Sequence, residues 1–390
     1  MKRLIFLILI SLNVNSYSQT IIPDISARVD TSKTTIKQVY NLYKNYLNSR
    51  PDSIYQNPNW NEKEAKQYLK GKVLRIDRSA IQMFSYYDSK TYYNYYKPKI
   101  LQIDSIGSNR YQIKTMFAKE CPEKEYKTFT PDCITKLYAV RDHKGLFKLE
   151  NVISYDTRNW KTFKFKFITY KVHPNSVFNK KEAVKAISFC EKISKQFNIK
   201  MEPFTYYILP NSDEMGKLYN YEYWLSYLGG QTLNPFKEIF TTYGNASYPH
   251  EFVHLLFPLP EDNVSFCPMI INEGLATWLA GPSMNETFDN ALRATSKTFQ
   301  KKDKISFEDI ITFKLRNEFD NSILYVTGGV ICKLVYEKHG EKGIWELYNS
   351  TDKNFKLVLE KLFGMPYENL EKYVIKYIVD FDNTNRSEIH

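Results

Sequence analysis

Between Thr35 and Asn48 (TIKQVYNLYKNYLN) apolar side chains return every three or four residues, the spacing that lines one face of a helix. Asn61 to Lys70 carries a shorter version of the same period. From about Val73 to Lys171 the period changes to two. β-Branched and aromatic residues alternate with polar ones in KILQIDSIGSNRYQIKTMFA, CITKLYAVRDHKGLFKLENVIS and KTFKFKFITYKV. Such alternation predicts half-buried strands, and Asn109 and His143 to Gly145 mark the turns that join them. The order predicts an N-terminal α+β unit in which two helices precede a curved antiparallel sheet.

A second rhythm begins near Val172. Lys180 to Phe197 predicts an amphipathic helix, FTYYILP a buried strand, and Asn211 to Tyr219 a helix capped by its asparagine. Gly229 and Gly230 precede a candidate edge strand in GGQTLNPFKEIFTTY. Beyond His250 the pattern is helical over Ile270 to Ala280, Ser322 to Lys338, Ile344 to Tyr348, Phe355 to Phe363 and Tyr367 to Phe381. The polar stretch Ser283 to Asp309 is read as lining a cleft, with no role fixed for Asp289 or Glu308. The fold class expected is α+β in two units, 19–165 and 166–390. The second combines a small mixed α/β lobe with a mainly helical one.

Residues 1–18 have the layout of a secretory signal peptide. Lys2 and Arg3 precede an apolar run from Leu4 to Leu12 that is too short to span a bilayer, and Ser16 and Ser18 suit a cut before Gln19. The expected location is periplasmic or extracellular, with no stable membrane insertion once the signal is removed. Of 390 residues, 43% are hydrophobic and 25% charged, enough apolar mass for two or three cores at about 150 residues per domain. Without Lys2 and Arg3 the chain keeps 52 basic and 43 acidic residues, 54 minus 2 against 43. The excess is dispersed, mildly concentrated from Lys161 to Lys185, and matches no nucleic-acid motif, so no nucleic-acid partner is expected. Five cysteines, none in CxxC spacing, argue against a redox or cysteine-built zinc site. Cys121 and Cys133 flank a polar segment and read equally as a disulfide or as two free thiols.

Thirty-one tyrosines are the compositional oddity. The densest run, Phe84 to Tyr96 (FSYYDSKTYYNYY), reads as a stacking platform for sugars or peptides or as packed faces of strands or helices, and packing is favoured.

The chemistry concentrates in Ser247 to Gly281. His250 and His254 stand at i and i+4, which stacks two imidazoles on one face of a helix, with Glu251 beside them. In so histidine-poor a chain an HExxH arises by chance on the order of 0.01 times. Eighteen residues separate His254 from Glu273, which opens the helical segment NEGLATWLAG. Two nitrogens and one carboxylate oxygen, with a fourth position open, are the make-up of a catalytic rather than a structural zinc site.

HEFVH, an 18-residue gap and NEGLA resemble the gluzincin metallopeptidases, and the gap and NEG context are closest to their aminopeptidase N-like branch. That branch carries a Tyr-x-x-Gly pattern at the start of a later helix, matched here by Tyr325 to Gly328, 52 positions after Glu273. The resemblance covers roughly 172–381 and implies a gluzincin-like domain with one zinc ion on His250, His254 and Glu273. It implies metal-assisted hydrolysis of peptide or protein substrates, with Glu251 as general base and Tyr325 as donor to the oxyanion. Two features depart from the family. No GxMEN-like motif, which holds the substrate's free amine in that branch, precedes the zinc helix. Ala276, Thr277 and Ala280 stand where relatives often place a carboxylate to orient a ligand imidazole, so such a partner has to come from elsewhere. Two alternatives remain open on sequence: a degenerate zinc- or ligand-binding module, and a zinc hydrolase of non-peptide amides or esters. Tyr325 also reads as one more core aromatic. Nothing in the sequence sets the oligomeric state.

Overall fold

A computed structural model describes residues 20–387 apart from 54–55, 71–74, 108, 122–127, 227, 258–266, 303, 313 and 318–321. The signal-peptide segment therefore lies outside the described residues. The fold is α+β, 46% helical and 22% strand. A short strand β1 (Asp24–Ile25) leads to helices α1 (Thr34–Leu47), α2 (Glu62–Lys70), α3 (Arg78–Met83) and α4 (Ser89–Tyr95). Strands β2 (Lys97–Gly107), β3 (Arg110–Cys121), β4 (Thr128–Arg141) and β5 (Phe147–Glu150) follow as an antiparallel meander, closed by the single turn α5 (Ile153–Asp156).

The turns fall where the sequence placed them. Asn109 adopts φ +69° between β2 and β3, a conformation asparagine tolerates well. The Asp142 carboxylate accepts from the amides of Lys144 and Leu146 to close the β4–β5 turn. Helix α1 covers the sheet with Val39, Leu42, Tyr43, Tyr46 and Leu47.

The tyrosine-rich run divides. Tyr92 and Tyr93 are buried on Phe84 and Phe117, whereas Tyr86, Tyr87 and Tyr95 are exposed. The disulfide option for Cys121 and Cys133 is not realised: Cys133 is a free buried thiol. The β3–β4 ladder sets Phe117 opposite Cys133 and Thr128 opposite Cys121, which separates the two cysteines by four residues along the strands, about 13 Å.

The second sheet begins with the hairpin β6 (Lys161–Phe165) and β7 (Ile168–Val172), so KTFKFKFITYKV joins this sheet rather than the first. After α6 (Lys180–Gln196), strand β8 (Phe204–Ile208) pairs parallel to β7. Helix α7 (Ser212–Leu218) is capped by Asn211, which accepts from the Glu214 amide. Strand β9 (Tyr221–Tyr223) then returns to the first sheet, on β4. Strands β10 (Gly230–Leu233) and β11 (Glu238–Thr241), joined by a 3₁₀ turn at Asn234–Phe236, complete a sheet of order β10-β11-β8-β7-β6 with β10 at the edge.

The remaining helices are α8 (Pro249–Leu256), α9 (Met269–Ala280), α10 (Phe288–Gln300), α11 (Phe307–Ile311), α12 (Ile323–Tyr348), α13 (Phe355–Phe363) and α14 (Tyr367–Ser387). Helix α12 breaks at Gly340, φ +63°, between the two helical segments read from the sequence. Much of the stretch expected to be polar cleft lining, Ser283 to Asp309, is helix α10, whose Phe288, Ala291, Leu292, Thr295 and Phe299 are buried. Small and hydroxyl-bearing residues among these weaken the hydrophobic period without preventing burial.

A buried polar seam joins the two sheets. Asn220, φ +67°, donates to Asp77 (2.8 Å) and Asn151 (2.6 Å) and accepts from the Val152 amide (3.0 Å). Arg78 of α3 forms a 2.8 Å ion pair with Glu238 of β11, the guanidinium side chain only 3% exposed.

Candidate metal centre

Helix α8 starts with Pro249 in its first turn, where a missing N–H costs nothing, and carries His250 and His254 one turn apart on its inner side. Helix α9 runs beside it and carries Glu273. Nε2 of His250 lies 3.2 Å from Nε2 of His254, and Oε2 of Glu273 lies 3.3 Å from the first and 3.5 Å from the second. A tetrahedral ion with bonds of about 2.0–2.1 Å requires ligand atoms about 3.3–3.4 Å apart. The three atoms therefore stand at the corners such an ion needs. Among the described residues this is the one group of three or more His, Cys, Asp or Glu side chains spaced to hold a metal.

The far side of each imidazole is held as well. Nδ1 of His250 lies 2.8 Å from the Gly281 carbonyl oxygen, an acceptor, so Nδ1 carries the proton and Nε2 offers its lone pair to the centre. Nδ1 of His254 faces Oδ1 of Asn272 at 3.3 Å, and the Tyr348 hydroxyl, which donates to the Phe257 carbonyl at 2.5 Å, lies 3.3 Å from the same Oδ1. These are the orienting partners that the sequence did not reveal. A backbone carbonyl at the end of α9 leaves no side-chain signal. Asn272, next to Glu273, was legible only as part of NEG.

The ionisable groups of the triad pair with one another electrostatically. Burial alone would lower the His254 pKa, but the charge and hydrogen bond of Glu273, helped by Glu251 and Asn272, raise it to about 9. Burial would raise the Glu273 pKa, but His254 and His250 hold its carboxyl well below the usual range. A cation at this centre would replace the proton on His254, leaving a neutral imidazole and an ionised carboxylate as its ligands. The donor set fits a divalent ion of borderline softness.

Glu251 is buried on the same helix. The Thr232 hydroxyl of β10 lies 2.7 Å from its Oε2 and 2.9 Å from its backbone oxygen. Tyr325, in the first turn of α12, places its ring 6.2 Å from that of His250 at an interplanar angle of 28°, with its hydroxyl close to the Glu273 carboxylate. Burial, then the Glu273 and Glu251 charges, push its phenol pKa up, with Arg316 opposing, so the group remains a proton-bearing donor. The structure thus brings together all five residues singled out in the sequence: His250, His254, Glu273, Glu251 and Tyr325. Asp289 and Glu308 sit exposed in the first turns of α10 and α11 and join no metal cluster. No protein-family model matches the chain, and no curated protein matches it in sequence.

Proposed function

We propose that this chain is an exported zinc-dependent peptidase with a gluzincin-like centre. The observation that carries the reading is the near-equilateral triangle of ligand atoms, 3.2, 3.3 and 3.5 Å on its edges, with the Glu251 carboxylate on the same helix turn. Zinc, when bound, supplies Lewis-acid polarisation of a carbonyl and of water. Glu251 takes the proton from the attacking water and delivers it to the leaving amine. Tyr325 donates to the oxygen that gains charge as the carbonyl becomes tetrahedral. The Glu273 side chain is 19% exposed, so the centre is reachable from solvent.

A peptide substrate is favoured over a small ester or amide by the edge strand. Among the described residues β10 pairs only with β11, which leaves its other edge without a strand partner, while Gly230 and Thr232 turn one face of the strand toward Glu251 of α8. Such an edge binds extended chains by main-chain hydrogen bonds.

The test is cleavage of a peptide library by the mature protein, with chelator and after zinc is restored. Cleavage that vanishes and returns, and that is absent in a Glu251→Gln variant retaining its zinc, supports the proposal. A zinc-loaded wild type that cleaves nothing refutes it.

A further inference from the structure

The β10–β11 hairpin packs against helix α8 at two side chains and against the N-terminal unit at two others. On the α8 side, a Cβ on Gly230 would lie 2.5 Å from the Tyr248 ring and 3.0 Å from Cγ of Glu251, so the bare strand runs directly over the Glu251 stem. Two residues on, Thr232 meets the Glu251 carboxylate at 2.7 Å. The Asn234 amide then donates to the His254 carbonyl at 2.9 Å. On the other side, Arg78 pairs with Glu238 at 2.8 Å and lies 4.8 Å from the ring centroid of Phe236. The hairpin is therefore fixed at its back while it grips α8 at its front.

A glutamate side chain has three rotatable bonds, and only a fixed orientation keeps one carboxylate oxygen toward the reacting water. We propose that Thr232 is a positioning residue that fixes the Glu251 carboxylate by holding Oε2, leaving Oε1 for proton transfer, on a hairpin braced by Arg78. The inference rests on the peptidase reading for its kinetic consequence but not for its geometry. The hydroxyl serves this role in a way valine does not, although the two side chains have nearly the same shape.

The experiment compares Thr232→Val and Thr232→Ser with the wild type in zinc content, steady-state kinetics on a cleaved peptide, and crystal structures. The valine variant is expected to bind zinc fully and keep KM within about twofold, while kcat falls about tenfold to a hundredfold, the scale of a misplaced reacting group. Serine restores most of the loss. The crystal structure of the valine variant should show the Glu251 carboxylate rotated away from its wild-type position. An unmoved carboxylate overturns the proposal, and so does an unchanged kcat. If the wild type cleaves no peptide, the peptidase reading fails by itself, and the carboxylate position still decides the role of Thr232.

Discussion

Gly274 of α9 and Gly328 of α12 touch backbone to backbone, so closely that a Cβ on either would overlap the other helix, at Gly328 or at the Ile270 carbonyl. Each glycine is tied to a site residue: Gly274 follows Glu273, and Gly328 lies three residues, nearly one turn, after Tyr325. The contact between the glycines is what brings Tyr325 to Glu273. In the Tyr-x-x-Gly pattern the glycine thus has a mechanical role.

Gly328→Ala should force the two helices apart. The cost expected for overpacking is about 1–3 kcal/mol, read by denaturant unfolding, and Tyr325 should lose its contact with Glu273. Unaltered stability together with unaltered turnover would mean that the helices have slack the structure does not suggest.

Replacing Tyr325 by Phe keeps the ring on His250 and removes the hydroxyl. If that hydroxyl serves the oxyanion, kcat on a cleaved peptide should drop by about 100- to 1,000-fold with zinc content unchanged. A purely structural ring would leave kcat where it was.

Asn272 holds the outer nitrogen of His254. Asn272→Leu should weaken zinc binding by about 10- to 100-fold, measured by competition with a chromophoric chelator. Equal affinity in the two proteins would remove Asn272 from the support of the centre.

Arg78→Met breaks a buried ion pair and strands Glu238. Such losses cost about 3–5 kcal/mol. The double variant Arg78→Met with Glu238→Leu removes both charges and should recover much of that in urea unfolding. A single variant as stable as the wild type would show that the seam between the sheets does not depend on this pair.

Local pattern carried most of the helices and strands, because periodicity and caps act within one element. Helix α6 begins at Lys180, behind the Asn179 cap that accepts from the amides of Lys181 and Glu182. Helix α10 leaves no clear period because its inward face mixes Ala, Thr and Ser with Phe and Leu. Sheet membership was less legible than strand existence. The β6–β7 hairpin and β9 each alternate like the strands of either sheet, and only long-range pairing assigns them.

The sequence by itself determined which side chains carry the proposed chemistry. HExxH, the spaced Glu273 and Tyr325 are recognisable because a helix turn fixes His250 relative to His254 and because coordination restricts the residue types. Only the tertiary structure decided how they meet. Bringing Glu273 and Tyr325 to α8 needs the glycine contact between α9 and α12, and orienting the imidazoles needs the Gly281 carbonyl and Asn272. Fixing Glu251 needs a hydroxyl from β10, 19 residues earlier in the chain. These contacts join residues of ordinary type across separate elements, and such partners leave no period or motif in the chain because packing alone selects them.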